Sequence, residues 1–263
     1  MIHKQSINQP LFPEIEWESP QNIRQKGELL IVGGSPHGFA SIANSYEYTS
    51  KAGIGHAKVA MPSSTEQTVK GFIENAAFLP STPSGSFSKR GLTDLKSYAQ
   101  EAWGTLLAGD FGRNSETASL IEGFMMSTTG KIIITKDAAD YAATSYPRPI
   151  LMRKNTLLVA SLSQLQKLLK NANFTDNIRF EMSINETAKL LESISKQIEL
   201  KIVIFHHNHI YAAIDGSVSL TPIALADSGL WQTKTASFAT VFWLQHDAKE
   251  FEGITTGIYE SLR

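Results

Sequence analysis

Two short glycine-bearing stretches follow apolar runs and precede amphipathic ones. Gly33-Gly34-Ser35 follows Glu28-Leu-Leu-Ile-Val32, and Gly109-Asp-Phe-Gly112-Arg113 follows Thr105 to Ala108. Glycine lets a backbone turn sharply and approach a ligand closely, and the amides at a helix start favour anions. Each stretch also fits an ordinary strand-to-helix turn, and the longer glycine fingerprint of a dinucleotide site is missing. Arg113 is a candidate phosphate ligand or simply a solvated arginine. Asp137, after the run Lys131 to Ile134, is either a rim carboxylate for magnesium or a hydroxyl, or the cap of the next helix. His206, His207 and His209 invite a metal reading. Strand alternation would place His207 and His209 on one face and His206 on the other. Two histidines without a carboxylate make a weak metal site, so no metal is expected.

The elements that would carry these residues alternate. Short apolar runs closed by glycine suit buried parallel strands. Strands are expected near Glu28, His56, Thr105, Lys131, Thr156 and Leu200. Helices are expected over Phe39 to Lys51, from Ser115, and over Leu162 to Leu169. That order implies βαβ units and a parallel sheet covered on both faces. In the last third, Ile210 to Ile214 and Val218 to Leu220 flank Asp215-Gly216, a hairpin turn. Helices about Thr235 to Gln245 and Ala248 to Leu262 close the chain. Ligands in such folds bind beyond the carboxyl ends of the strands, so the two glycine turns should share one rim.

Composition sets limits. The chain has 263 residues, 42% of them hydrophobic, a formal net charge of -1 and no cysteine. It is long enough to bury a large core. No basic excess points to nucleic acid. Disulfides, thiolate zinc sites and cysteine nucleophiles are excluded. The first residues lack the apolar core of a signal peptide, and no apolar run approaches a membrane span, so a cytoplasmic protein with no membrane partner is expected. Residues 1–25, with Pro10, Pro13 and Pro20, read as an irregular arm, and 26–263 as the folded unit.

Taken in order, these blocks resemble the ADP/ATP-dependent NAD(P)H-hydrate dehydratase family of the ribokinase-like superfamily. Gln25-Lys-Gly-Glu-Leu-Leu-Ile-Val-Gly-Gly-Ser35 is similar to its opening strand and glycine turn. Lys51-Ala-Gly-Ile-Gly55 and Val59-Ala-Met-Pro62 resemble its Arg-x-Gly-Ala-Gly and Val-Ala-x-Pro. Leu106-Leu-Ala-Gly-Asp-Phe-Gly-Arg113 looks like its Gly-Pro-Gly-Leu-Gly-Arg. Ile133-Ile-Thr-Lys-Asp-Ala138 resembles its Leu-Asp-Ala-Asp-Ala, and Phe251-Glu-Gly-Ile-Thr-Thr-Gly-Ile-Tyr259 its final helix. The likeness runs from about Lys26 to the C-terminus and fades after Leu151.

The resemblance implies a ribokinase-like α/β fold, a three-layer α/β/α sandwich with a mostly parallel central sheet and a C-terminal antiparallel hairpin. It implies repair of hydrated NADH or NADPH with ATP or ADP, with magnesium as a candidate ion and a homo-oligomer as the expected assembly. The substrate side would be Gly33, Gly34, Ser35, Ala40, Ser41, Gly53, Gly55, Gly109, Asp110, Gly112 and Ser161. The nucleotide side would be Phe205, His206, His207, His209 and Thr233. The departures fall on the catalytic parts. The family's Thr-Pro-His histidine falls on Ser161, and its Lys-Gly pair on Phe205-His206. Counting back from the last helix puts the loop glycine on Thr233 and the catalytic aspartate on Lys234. A lysine cannot act as a carboxylate base at its usual pKa. Asp227 is the displaced aspartate if the alignment slips. Weakened or lost catalysis is therefore expected; a non-catalytic nucleotide-binding relative or assembly subunit, and a small-molecule kinase of the same superfamily, are the alternatives.

Overall fold

The computed structural model describes residues 1–71, 73, 75–176, 178–223 and 230–263. Among these, seven strands run parallel in one sheet. They are β2 (Glu28–Gly33), β3 (His56–Pro62), β4 (Ala76–Leu79), β5 (Gly104–Gly109), β6 (Lys131–Thr135), β7 (Thr156–Ser161) and β8 (Lys201–His206). Then β9 (His209–Ile214) runs antiparallel to β8, and β10 (Ser217–Pro222) antiparallel to β9. A short β1 (Ile2–Lys4) lies parallel to β10 at the edge. The arm expected to be irregular thus adds a strand to the sheet, and it also carries the helix α1 (Pro13–Trp17).

The order across the sheet is β1-β10-β9-β8-β7-β6-β5-β2-β3-β4. The chain therefore leaves β2 in one direction, through β3 to β4, and then returns to β5 on the other side of β2. The direction of winding reverses between β2 and β5, which is where open α/β sheets leave a crevice between crossovers.

Alternate side chains of each strand enter opposite cores. On one face Leu30, Leu107, Ile132, Leu158 and Ile202 pack with helices α4 (Leu92–Glu101), α5 (Ser115–Ser127), α6 (Asp137–Ser145), α8 (Leu162–Asn171) and α9 (Ile184–Ser195). On the other, Leu29, Ile31, Ile133 and Val203 pack with α2 (Ala40–Lys51), α10 (Trp231–Gln245) and α11 (Glu250–Glu260). Each fully buried Leu or Ile stabilises by about 1.5–3 kcal/mol. This is the ribokinase-like three-layer arrangement, with the antiparallel strands at the C-terminal side of the sheet.

Local chemistry sets several boundaries. Asn114, rather than Ser115, caps α5, accepting from Glu116 N and Thr117 N. Ser161 and Gln164 form a capping box on α8, and Ser183 and Glu186 form one on α9. The turn at Asp215-Gly216 is present, with both residues at positive φ. A second two-residue hairpin, at His207-Asn208, joins β8 to β9 with φ of 45° and 57°. Among the described residues no helix is long and apolar enough to cross a membrane.

Candidate active-site rim

At the carboxyl ends of β2 and β5 the two glycine turns meet. Gly34 N donates to Gly109 O at 2.9 Å, and the register shifts between Val32 and Gly33. A Cβ on Gly109 would lie 2.5 Å from Lys136 Cβ and 3.1 Å from Asp137 Oδ1. The absent side chain lets the β6 end close over the β5 turn. Lys136 itself sits at φ 53°, ψ −136°, a conformation that costs a non-glycine residue about 1–3 kcal/mol. Nothing in the sequence signalled that strain.

Two carboxylates converge there. Asp137 is the first residue of α6, not its cap, which is Lys136. Its Oδ2 accepts from Phe111 N at 2.9 Å and Gly112 N at 3.2 Å. Its Oδ1 is buried without a partner, as is Thr135 Oγ1. Burial pushes the Asp137 carboxyl up to about 6, and the charge of Asp110 adds to this, against the two amides. Asp110, at φ 59°, sends Oδ2 to Ser41 N at 2.7 Å, in the first turn of α2. Tyr141 OH donates to Gly112 O, and burial ahead of the Asp137 charge raises its phenol to about 12.

A polar chain continues along the rim. Gln164 Nε2 donates to Lys136 O at 2.8 Å and to Asp140 Oδ2 at 2.9 Å. Gln164 Oε1 accepts from Gln232 Nε2 at 3.2 Å and Ser161 N at 3.0 Å. This ties the start of α10 to the ends of β6 and β7. Trp231 packs on Phe205, with ring centroids 5.7 Å apart. Gln164, Gln232 and Trp231 had no individual signal, because their meeting depends on strand order.

The predicted residues divide as follows. Gly33, Gly34, Ser35, Ala40, Ser41, Gly109, Asp110, Gly112 and Ser161 share this end of the sheet, with Phe205 and the His206–His209 hairpin further along it. Gly53 and Gly55 do not. They lie between α2 and the start of β3, and Gly55 N donates to Lys26 O beside the amino end of β2. Gly55 serves backbone packing there, since a Cβ on it would lie 2.4 Å from Ile23 O, and Gly53 serves a left-handed turn at φ 89°. Thr233 and Lys234 fall inside the first turns of α10 rather than in a loop before it, and Thr233 is buried. Asp227 lies outside the described residues.

The histidines depart from the alternation expected of them. His207 is in the turn, so it folds back beside His206, with ring centroids 3.9 Å apart. Both Nε2 atoms face Met182 O, at 3.3 and 2.9 Å. Burial, then the neighbouring His207, lowers the pKa of His206. Phe180, missed in the sequence, packs on His206 at 5.4 Å. Among the described residues no three His, Asp or Glu side chains group to hold a metal ion. At the start of α10 Leu230 makes no side-chain capping hydrogen bond, and Lys234 lies in the first turn. An open cavity of about 450 Å3, lined by Glu28, His56, Lys58 and Tyr98, lies at the amino ends of β2 and β3, away from this rim.

No protein-family model matches the chain, and no curated protein matches it either. Solved structures do. A ribokinase-like superfamily protein of Enterococcus faecalis superposes with a TM-score of 0.73 at 13% identity, covering 99% of this chain and 86% of that one. The ADP/ATP-dependent NAD(P)H-hydrate dehydratase of Bacillus subtilis, co-crystallised with ATP and magnesium, gives 0.66 at 14% identity, covering 98% and 88%. A Staphylococcus aureus pyridoxal kinase gives 0.52 at 8% identity, covering 86% and 83%. At these identities the superpositions show the fold alone.

Proposed function

We propose that this chain is a ligand-binding relative of the NAD(P)H-hydrate dehydratases, holding a dinucleotide-like ligand at the glycine rim, with nucleotide-dependent dehydration weak or lost. One observation carries the reading. Counted back from the last helix without gaps, Lys234, the fourth residue of α10, falls at the position of the family's carboxylate base. Among the described residues of that turn, Leu230 to Lys234, there is no acid. Loss of a general base lowers a rate by about 10²–10⁴. A small-molecule kinase of the same fold would need a base in the same place.

The mechanism that remains is binding. A ligand would lie over the rim that the turns at Gly33 and Gly109 form, with Asp110 offering an acceptor beside it. Lys234 and the first-turn amides of α10 supply positive potential for phosphate, which ATP or ADP would bring when bound.

Two measurements on one preparation test this. Thermal shifts with NADH, NADPH, ADP and ATP should show stabilisation by at least one of them. Recovery of absorbance from hydrated NADH with ATP or ADP should be near background. Robust recovery would overturn the proposal and point to Asp227 as the displaced base. Activity gained by Lys234→Asp would support it. Stabilisation by none of the four nucleotides would favour an assembly role instead.

A further inference from the structure

Helix α2 begins behind Phe39, whose side chain makes no capping hydrogen bond. A helix started this way leaves its first amides to be satisfied from elsewhere, and its positive end attracts an anion. The anion that arrives is internal. Asp110, 69 residues away in the chain, places Oδ2 2.7 Å from Ser41 N. Gly38 packs beside it, and a Cβ there would stand 3.8 Å from Asp110 Cγ, an ordinary contact. Reaching that position requires φ of 59°, which aspartate adopts more readily than most side chains but still rarely. Counted back from Gly112-Arg113, Asp110 stands at a glycine of the pattern that block resembles.

The second half of the mouth is filled in the same manner. Phe111 N and Gly112 N, successive amides of the glycine turn, both donate to Asp137 Oδ2. Successive amides of this kind form anion-binding concavities. Here each is occupied by a carboxylate of the chain itself. A phosphate approaching either position would displace a hydrogen-bonded carboxylate and meet the charge of the other. A hydroxyl, amide or ammonium donor meets no such obstacle. Among the described residues Asp110 Oδ1 makes no hydrogen bond and remains an acceptor, whereas Asp137 Oδ1 is buried.

We infer that Asp110 sets the specificity of this rim: it closes the start of α2 to phosphate and selects a ligand that presents a hydrogen-bond donor there, such as a sugar hydroxyl or an amide. The inference deepens the function proposed above and rests on its placing the ligand at this rim. It requires the phosphates of any dinucleotide-like ligand to lie elsewhere, toward Lys234.

Titration calorimetry at pH 8 with inorganic pyrophosphate tests it, on the unaltered chain, Asp110→Asn and Asp110→Gly. Asparagine keeps an acceptor for Ser41 N without the charge, and glycine suits the left-handed backbone, so the two variants guard against loss of fold. Removing one charge beside an anion should tighten pyrophosphate binding by about tenfold in Asp110→Gly, with Asp110→Asn between it and the parent. Affinity unchanged in both variants, or lost, overturns the inference. NADH titrated in parallel separates the two readings. A pyrophosphate gain without NADH binding to any form leaves Asp110 as assigned and removes the dinucleotide-like ligand. NADH binding to the parent with no pyrophosphate gain in either variant does the reverse.

Discussion

A methyl group on Gly33 would lie 2.3 Å from the carbonyl oxygen of Gly109. The same oxygen accepts from Gly34 N. The two turns are therefore in backbone contact, at the point where the sheet reverses its direction of winding.

That contact makes Gly33→Ala a severe change. The obstacle is backbone, which cannot swing aside, so the variant should lose about 3 kcal/mol in urea unfolding. Gly53→Ala is the control. Its φ is 89° but nothing lies within 4 Å of the added methyl, so only the left-handed strain of about 1 kcal/mol should appear. Equal losses would show that the Gly33–Gly109 contact is not as tight as described.

Asp137 should give stability a recognisable pH dependence. Its carboxyl titrates near 3.8 in the unfolded chain and near 6 when folded. Between those values the folded protein holds a proton that the unfolded chain has released. Stability from this group is thus full below about 3.8, falls as pH rises, and is gone above about 6. Asp137→Asn keeps an acceptor for Phe111 N and Gly112 N and removes the titration. The difference in melting temperature, variant minus parent, should grow from pH 4.5 to pH 7.5. A difference that stays constant over that range would refute the raised pKa.

Arg153 should matter to stability without touching the rim. Its guanidinium donates to Thr128 O at 2.8 Å, Gly130 O at 2.6 Å, Asn155 O at 2.6 Å and Thr156 Oγ1 at 2.6 Å. Burial lowers its pKa to about 10. The fork joins the loop before β6 to the start of β7, and an ammonium cannot span those acceptors. Arg153→Lys should cost about 2 kcal/mol while leaving nucleotide thermal shifts unchanged. A loss below about 0.5 kcal/mol would mean that water replaces the fork.

The amino-acid sequence alone determined the periodic strands, the glycines that close them, the hairpin at Asp215-Gly216 and the lysine at position 234. Each of these follows from short-range physics: alternation within a strand, the φ that glycine permits, and residue type at a counted position. The sequence could not tell that Gly53 and Gly55 close a helix at the far end of the sheet. A glycine at a turn looks the same whichever end it serves. Alternation misplaced His206 and His207 because the strand ends between them and the turn folds one ring back on the other.

Only the tertiary structure decided that β5 returns beside β2 rather than beside β4, and so that Gly33 meets Gly109. It alone brought Asp110 to Ser41 and Asp137 to Phe111 and Gly112. These partners are far apart in sequence, and the free energy that joins them comes from burying the two faces of the sheet, which favours a strand order and not any local motif. Whether a glycine turn faces a ligand or one of the chain's own carboxylates is settled at that level, because the competing anion arrives on a different element.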